Sequence, residues 1–534
     1  MSGPLIGSLA ASQRTLTSRL WMRFALICLA GALTFFGCAS SVSQTPQPSL
    51  TPTSPFTPCQ RAFEDPNPVA SENTCPGTRD WRQNLPLGAD HAIEGYVSPT
   101  SAQAGDAIKL YVSTSAATYT YAVYRLGYYQ GTGGRLIYQS PTITGIQQPA
   151  PTVDPITRTV ECSWSNPATI FSARSWVSGI YLVKLVSADG NMRYTFFVLR
   201  NTTVRTPILY VAPFLTYQAY NLWGGFSLYR GTQPDGVTLD PTLRSYAVSF
   251  DRPFPADGMS TMGLYDLPLL SWMESQSYNM SYAADFDLDS PTQPLTTHRL
   301  IVISGHTEYW STGMRQSVTA ARDAGVSLAF FGANDVYWHV RLASSQLGLN
   351  RVVVCYKDAK LDPLAPTQPL AATVRWRDAP LNQPEQSLLG EAYGGAISGA
   401  APLTLGDASG PYLNGSSLKS GSSLNGLIGG EYDRLYPNNA PANVQIIAAS
   451  TVHCIPTSLC PTSGVDTANA TMYASASGAI VFDAGTFQWS WGLSPLGANE
   501  TIQTENSAQF VAPGLYVNAD FQRVTANIVS ALMR

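Results

Sequence analysis

The stretch "HRLIVISGHTEYWSTGMRQSVTAARDAGVSLAFFGAND", His298 to Asp335, decides the fold of this chain. Two apolar runs flank a segment in which Met314, Val318 and Ala321 recur on one helical face, and Gly325 supplies a helix stop. Strand, helix and strand in this order form the βαβ unit of a parallel sheet, whose strands are buried on both faces.

Other apolar runs of the same kind flank this unit. They are "PILYVAPF", which begins at Pro207, and "GAIVFDAG", which begins at Gly478. Together they predict an α/β domain over residues 204–534 with a mostly parallel sheet. Ligands bind such sheets beyond the carboxyl ends of the strands. We therefore expect a site where His306 and Glu308 follow one strand and Asn334 follows the next.

Residues 79–203 have a different texture. Short alternating runs such as "AIKLYVST", "YTYAVYRLGYY" and "GIYLVKLVS" are broken by Gly, Pro, Ser and Thr. Period-2 alternation at this spacing predicts antiparallel strands, most simply an immunoglobulin-like β-sandwich. The predicted fold class is thus multidomain β plus α/β, in keeping with a length of 534 residues.

The first 37 residues are predicted to be an export signal. Basic residues precede an apolar run, Phe24 to Phe36, that is too short to span a bilayer. Gly37 and Cys38 follow this run. This arrangement resembles a bacterial lipoprotein signal, which implies a lipid on Cys38; cleavage with release and an uncleaved anchor stay open. Residues 38–78 are a Ser/Thr/Pro-rich tether and a cysteine-containing lead-in. We expect an exported protein of the cell envelope, anchored to the membrane or else secreted.

Charge and cysteine usage narrow the partners and the compartment. A net charge of -4 without a basic cluster argues against nucleic acid. An even number of cysteines after the signal favours disulfides in an exported chain. Their spacing suggests the pairs Cys59–Cys75, Cys454–Cys460 and Cys162–Cys355, although six cysteines allow 15 connectivities.

The chemistry of the site is narrowed by elimination. The sequence has no Gly-x-Ser-x-Gly elbow, HExxH, P-loop or GxGxxG motif. What remains is a carboxylate and an imidazole at a strand end, in a chain with 27 tyrosines. Tyrosinate and carboxylate oxygens suit a hard ion such as Fe(III), which polarises a carbonyl and lowers the pKa of bound water.

A set of motifs then resembles one family, the large (beta) subunit of N,N-dimethylformamidase in its C-terminal region. They occur in order, and they are "TYQAYNLWGGFSLY" (216–229), "ISGHTEYWS" (303–311), "FFGANDVYWHVRL" (330–342), "NRVVVCYKD" (350–358), "GGEYDRLYP" (429–437) and "AGTFQWSWGL" (484–493). That family enzyme is an amidohydrolase with one iron held by two tyrosines and a glutamate, on a domain like class I glutamine amidotransferases.

The resemblance implies roles for individual residues. Glu308 matches the glutamate ligand, Tyr220 one tyrosine ligand and Tyr181 in "SGIYLVKL" the other, which would place a mononuclear ferric ion between the two domains. His306 becomes the acid/base candidate and Asn334 the residue that orients substrate or water. The implied function is an exported metal-dependent hydrolase of an amide-type C–N bond in a small substrate.

Several alternatives stay open at this point. The family enzyme has a small partner subunit and works in the cytoplasm. This chain instead has a predicted export signal, and no part of its sequence resembles the small subunit. Glu308 also suits a helix N-terminus, Asn334 and Asp335 suit a helix cap, and His339 is expected on that helix in a structural role. Glu431 and Asp433 receive no role. Two other functions stay open: a surface binding protein for carbohydrate or peptide, and a hydrolase with another metal or none. A homo-oligomer also stays open.

Overall fold

The computed structural model describes residues 62–82, 91–259, 261–406, 411–496 and 516–534. The predicted export signal and most of the tether lie outside these residues. In the ranges that are described, no helix is both long and apolar enough to cross a membrane. The chain is predominantly β, with several sheets and few helices.

Two sheets make up the N-terminal part, and they share one buried core. Ile108 and Leu110 of the first sheet pack in the same cluster as Val183 and Phe197 of the second. The sheet orders are β1-β3-β9 and β2-β11-β10-β4-β5, with β6 beside β4 and a separate β7-β8 hairpin. The strands are β1 Ile93–Ser98, β2 Ser101–Gln103, β3 Ala107–Thr114, β4 Thr118–Leu126, β5 Gly134–Gln139, β6 Ile143–Thr144, β7 Thr152–Val153, β8 Val160–Glu161, β9 Ala168–Phe171, β10 Gly179–Ser187 and β11 Met192–Arg200.

The C-terminal part is organised by a sheet of order β16-β12-β17-β19-β26-β25-β24, parallel as far as β26. Its strands and those of the smaller sheets are β12 Ile208–Ala212, β13 Gly231–Thr232, β14 Leu239–Asp240, β15 Ala247–Ser249, β16 Met280–Ala284, β17 Leu300–Ser304, β18 Tyr309–Ser311, β19 Ser327–Phe331, β20 Trp338–Ser345, β21 Gly348–Val354, β22 Ala392–Thr404, β23 Ser423–Arg434, β24 Gln445–His453, β25 Val465–Ala474 and β26 Ile480–Asp483. The helices are α1 Pro68–Glu72, α2 Phe214–Tyr220, α3 Met262–Ser275, α4 Thr312–Asp323, α5 Gln386–Leu389 and α6 Ala519–Leu532.

The βαβ unit predicted from the opening stretch is present as β17, α4 and β19. Met314, Val318 and Ala321 are buried, as their helical spacing requires. Ser311 caps α4 by accepting a hydrogen bond from the Met314 amide. The four apolar runs of the sequence become the adjacent parallel strands β12, β17, β19 and β26.

The segment after β19 differs from the prediction. Asn334 and Asp335 do not cap a helix, because β20 follows them and pairs with β18 and β21. Positive φ values at Asn334 (55°) and Val336 (55°) turn the chain away from a helical path. His339 therefore lies on a strand and not on the predicted helix, and its ring contacts the Ala372 carbonyl and the Thr312 hydroxyl.

The N-terminal and C-terminal parts form one compact unit. Arg125 of β4 and Glu274 of α3 make a salt bridge of 2.6 Å between them, and both side chains are fully buried. We call the N-terminal part, whose two sheets share one core, the sandwich. The Arg125–Glu274 pair fixes the sandwich against α3 of the C-terminal part.

The cysteine predictions have mixed outcomes. Cys454 and Cys460 form the predicted disulfide. Cys75 is disulfide-bonded, while Cys59 lies outside the described residues. The predicted Cys162–Cys355 clamp is wrong: both thiols are free and buried, because they belong to different hydrophobic clusters.

Candidate active site

The centre of the candidate site is a carboxylate in contact with two phenols. The Tyr229 hydroxyl oxygen lies 2.6 Å and 2.7 Å from the two carboxylate oxygens of Glu308. The Tyr220 hydroxyl lies 3.0 Å from Glu308 Oε2 and 2.9 Å from the Tyr229 hydroxyl. The two tyrosine rings stack with centroids 4.4 Å apart. Three hard oxygen donors therefore converge beyond the carboxyl end of β17, as the sheet topology predicts.

The turn that carries Glu308 is held on both sides. Gly305 has φ of +62°, and a Cβ there would lie 2.6 Å from an Asp266 oxygen, so glycine is required. The Thr307 amide donates to Asp335 at 2.6 Å, and the Glu308 amide donates to the Thr216 hydroxyl at 3.0 Å. Because α4 begins only at Thr312, Glu308 does not occupy its first turn.

His306 lies beside the two phenols with one nitrogen fixed. Its Nδ1 donates to the Ala333 carbonyl at 3.0 Å, which turns Nε2 toward the acids. Nε2 lies 3.1 Å from Glu308 Oε2, 3.4 Å from the Tyr220 hydroxyl and 3.6 Å from Glu431 Oε2. Burial opposes the charged imidazolium, but the hydrogen bond to Glu308 and the charges of Glu431 and Glu308 raise the pKa of His306 to about 9.

Asn334 joins the site through Glu431. Its Nδ2 donates to Glu431 Oε2 at 2.8 Å, and its backbone amide donates to Asp433 at 2.8 Å. Burial and the charge of Glu308 raise the pKa of Glu431 to about 7, against the opposing effect of His306. Sequence reasoning gave Glu431 no role, and the only signal for it was its place in the "GGEYDR" motif.

Lys357 is a second residue that sequence reasoning missed. Its ammonium lies 3.4 Å from the centroid of the Tyr229 ring and 4.9 Å from that of Trp338. Burial lowers the pKa of Lys357 to about 8, although Glu308 favours its charged form. Conversely, burial raises the pKa of Glu308, yet His306 and Lys357 bring it below its ordinary value. The site thus holds anionic oxygens against two cations.

The structure does not bring Tyr181 to this cluster. Its side chain is fully buried in the sandwich core, stacked between Trp176 and Phe197 at 5.3 Å from each. Its hydroxyl donates to the Val177 carbonyl at 2.6 Å. Because β10 directs this side chain into the core between the two sheets, Tyr181 does not meet Glu308, and the second phenol beside Glu308 and Tyr220 is that of Tyr229.

The phenols decide whether the site suits a metal. In the described part of the chain, no group of three or more His, Cys, Asp or Glu side chains is arranged to hold one. With Tyr220 and Tyr229 included, three oxygens lie 2.6 to 3.0 Å apart. Oxygens bound to one cation at about 2 Å are separated by about 3 Å, so the residues present fit such an ion. Burial raises the pKa of each phenol well above its ordinary value, and the charge of Glu308 raises it further. A bound cation would therefore have to replace the phenol protons.

The comparison with known families identifies the class of protein. A family described as "N,N-dimethylformamidase beta subunit-like, C-terminal" matches residues 120–504. The match spans well over half of the 534 residues, so the chain belongs to this family. Among curated proteins, none matches the chain significantly.

The chain is also similar to parts of solved structures. One is an uncharacterized protein from Bacillus anthracis str. Ames, with 12% identity over 20% of this chain and 81% of that chain, at a TM-score of 0.14. Another is a cycloisomaltooligosaccharide glucanotransferase from Paenibacillus sp. complexed with cycloisomaltoheptaose, with 10% identity over 44% of each chain and a TM-score of 0.15. TM-scores this low carry no argument about fold or function.

Proposed function

We propose that this chain is a metal-dependent hydrolase that cleaves an amide-type C–N bond in a small substrate. The observation that carries the proposal is the convergence of Tyr220, Tyr229 and Glu308, whose oxygens lie within 3.0 Å of one another. Membership of the N,N-dimethylformamidase beta subunit-like family supports the amide class of substrate, because N,N-dimethylformamidase is an amidohydrolase.

The donor set favours ferric iron. Two phenolates and a carboxylate are hard, anionic oxygen ligands, which suit a trivalent ion better than zinc or copper. Tyr220, Tyr229 and Glu308 would hold it, with Tyr229 in place of the Tyr181 that the sequence suggested. When bound, such an ion supplies Lewis acidity that polarises the substrate carbonyl and lowers the pKa of a water molecule.

Proton movement falls to His306 and Glu431. Amide hydrolysis requires that a proton leave the attacking water and that one reach the departing nitrogen. His306 Nε2 and Glu431 Oε2 lie 3.6 Å apart beside the three oxygens, so a base and an acid are available on one side of the site. Asn334 orients the Glu431 carboxylate through its 2.8 Å hydrogen bond.

Lys357 favours the anionic form of Tyr229. An ammonium 3.4 Å from the ring centroid is attracted to the ring and favours a phenolate over a phenol electrostatically. This effect opposes the burial that otherwise keeps the phenol protonated. Lys357 therefore prepares Tyr229 to act as an anionic ligand.

Two further proposals concern the location of the protein and the fold relationships of its two parts. We propose export and lipid anchoring at Cys38, on the strength of the lipoprotein-like signal. An immunoglobulin-like sandwich and a glutamine amidotransferase-like domain are the proposed relationships of the two parts, supported by the shared core of the first and the parallel strands of the second.

The test uses the full chain purified under iron-replete conditions. Iron content and hydrolysis of small formamides and acetamides are measured for the wild type and for Glu308→Gln, with the exposed Glu64→Gln as control. We expect iron and turnover in the wild type and the control, and neither in Glu308→Gln. A wild type without iron or amidase activity contradicts the proposal and favours a surface binding protein. Activity that survives in Glu308→Gln instead favours a hydrolase that does not depend on this ligand.

A further inference from the structure

The loop between Tyr220 and Tyr229 reaches out of the C-terminal part and into the sandwich. Tyr220 ends α2, and residues 221–228 connect it to Tyr229. At the far point of this loop, the Trp223 side chain is 7% exposed and packs in a cluster with Tyr96, Val160 and Trp164 of the sandwich. The segment that joins the two proposed phenol ligands therefore packs, through Trp223, against the sandwich.

The indole of Trp223 is held by an acid of β1. Its Nε1 donates to Glu94 Oε2 at 2.8 Å, and Glu94 is itself buried. His91 Nδ1 lies 3.0 Å from Glu94 Oε1 and 3.1 Å from Glu94 Oε2, so this imidazole contacts the same carboxylate. Breaking a buried hydrogen bond leaves its donor and acceptor unsatisfied, so the 2.8 Å contact between Trp223 and Glu94 anchors the loop.

The backbone next to Trp223 is shaped for close approach. Gly224 has φ of +76°, and a Cβ there would lie 2.5 Å from a Val160 methyl carbon. Gly225 also has a positive φ, +92°. Both positions favour glycine, which explains the "WGG" of the motif as a docking element rather than a ligand-binding loop.

The inner side of the same loop is held by one guanidinium. Arg252, which is 1% exposed, donates to the carbonyls of Asn221, Trp223 and Phe226, each at 2.9 Å. The loop is consequently fixed from both sides, by Arg252 within the C-terminal part and by Glu94 within the sandwich. Tyr229 leaves this fixed segment directly toward Glu308.

We propose that Glu94 and Trp223 are positioning residues that hold Tyr229 and Tyr220 in register with Glu308, so that the sandwich is part of the catalytic apparatus. The inference rests on the proposed function in so far as the two tyrosines are ligands. Without the anchor, residues 221–228 are held on the Arg252 side only, so their backbone gains freedom and the two phenols are positioned less precisely. The sandwich then serves as a support for the site and not only as a separate binding module.

The primary test is hydrogen exchange in a peptide covering residues 221–229 of the full chain. Trp223→Phe keeps the aromatic ring but loses the N–H, and Glu94→Ala removes the acceptor. We expect exchange about tenfold faster or more in both, because loss of the anchor lowers the cost of local opening. Glu94→Gln keeps an acceptor oxygen and is expected to restore protection. Trp81→Phe is the matched control, since its buried indole donates to the Thr132 carbonyl at 2.9 Å and belongs to a different hydrophobic cluster from Trp223.

The second readout is the visible absorption, iron content and kcat of the same variants. We expect Trp223→Phe and Glu94→Ala to shift the absorption and to lower kcat about tenfold or more, while Glu94→Gln and Trp81→Phe stay near the wild type. Unchanged exchange in Trp223→Phe and Glu94→Ala overturns the anchor. Faster exchange with unchanged absorption and kcat overturns the positioning role. A wild type without iron, together with faster exchange in the variants, supports the anchor and contradicts the proposed function instead.

Discussion

The hydroxyl oxygen of Tyr229 lies within hydrogen-bonding distance of both carboxylate oxygens of Glu308, at 2.6 Å and 2.7 Å. The two residues come from different segments, a loop anchored on the sandwich and the turn after β17. The contact lies within the C-terminal part, while the loop that carries Tyr229 is hydrogen-bonded to the sandwich through Trp223 and Glu94. It also identifies Tyr229, and not Tyr181, as the second phenol of the site.

Replacement of His306 separates proton transfer from metal binding. His306→Gln is expected to lower kcat by about 10²–10⁴-fold, the usual contribution of general acid–base catalysis, and to retain iron. Steady-state kinetics and metal analysis on the same sample check this. His339→Gln is the comparison, since the ring nitrogens of His339 contact the Ala372 carbonyl and the Thr312 hydroxyl, and its loss is expected to affect stability rather than kcat. Loss of iron in His306→Gln would instead make the imidazole a ligand.

Lys357→Met removes the ammonium and keeps an apolar side chain of similar length. We expect turnover to fall about 10- to 100-fold, because the electrostatic support for the Tyr229 phenolate is worth about 1–3 kcal/mol in a desolvated setting. Titration of the tyrosinate absorption by pH should show a higher apparent pKa for Tyr229 in the variant. Lys360→Met, at an exposed position, serves as control. A Lys357→Met enzyme with wild-type kcat and titration would remove this role.

Asp433 makes stability depend on pH. Burial and the charges of Glu385 and Glu431 raise the pKa of this carboxyl to about 7, above its value of 3.8 in the unfolded chain. The folded state binds the proton more tightly, so the stabilisation is complete below about pH 4 and is lost as the pH rises toward about 7. Asp433→Asn should therefore show a smaller fall in melting temperature between about pH 5 and about pH 8 than the wild type.

The control for this prediction is the exposed Asp189→Asn. It should reproduce the wild-type dependence, because it removes one carboxyl at an exposed position and leaves the buried carboxyls unchanged. Part of the slope should survive in Asp433→Asn, since burial also raises the pKa of Glu391 and Asp483 well above the ordinary range. An identical slope in the wild type and Asp433→Asn would show that this carboxyl is ionised in the fold.

Glu274→Gln tests the junction between the two parts. It leaves the fully buried Arg125 guanidinium without its counter-charge, which typically costs about 3–5 kcal/mol. Thermal unfolding followed by circular dichroism should show a clearly lower melting temperature. The exposed Asp189→Asn also removes one carboxylate and should leave the melting temperature near the wild-type value. Equal melting temperatures for Glu274→Gln and the wild type would mean that the ion pair is not maintained in solution.

Local periodicity made the parallel core predictable. Buried strands and an amphipathic helix leave a pattern in the sequence, and β17, α4 and β19 follow it. The position of His306 and Glu308 beyond a strand end followed from the same topology. His339 was misplaced because an apolar run with a histidine suits either a strand or a helix, and only pairing of β18, β20 and β21 decides between them.

The second phenol could not be predicted from local pattern. Tyr181 stands in the motif "SGIYLVKL", and Tyr229 is the last residue of "TYQAYNLWGGFSLY". Neither spacing nor composition tells which of the two side chains contacts Glu308. The decision depends on which face of β10 points into the sandwich core and on where the Trp223 anchor places the loop. Lys357 and Glu431 were missed for the same reason, since each reaches the site from a strand or strand end that is distant in sequence.

The absorption spectrum of the iron-loaded protein tests the central claim most directly. Tyrosinate bound to ferric iron produces a visible charge-transfer band, and the claim assigns it to Tyr220 and Tyr229. Tyr229→Phe and Tyr220→Phe should each lose or shift the band at equal iron loading, whereas Tyr181→Phe should keep the wild-type spectrum. A band that is unchanged in Tyr229→Phe but lost in Tyr181→Phe would contradict the account.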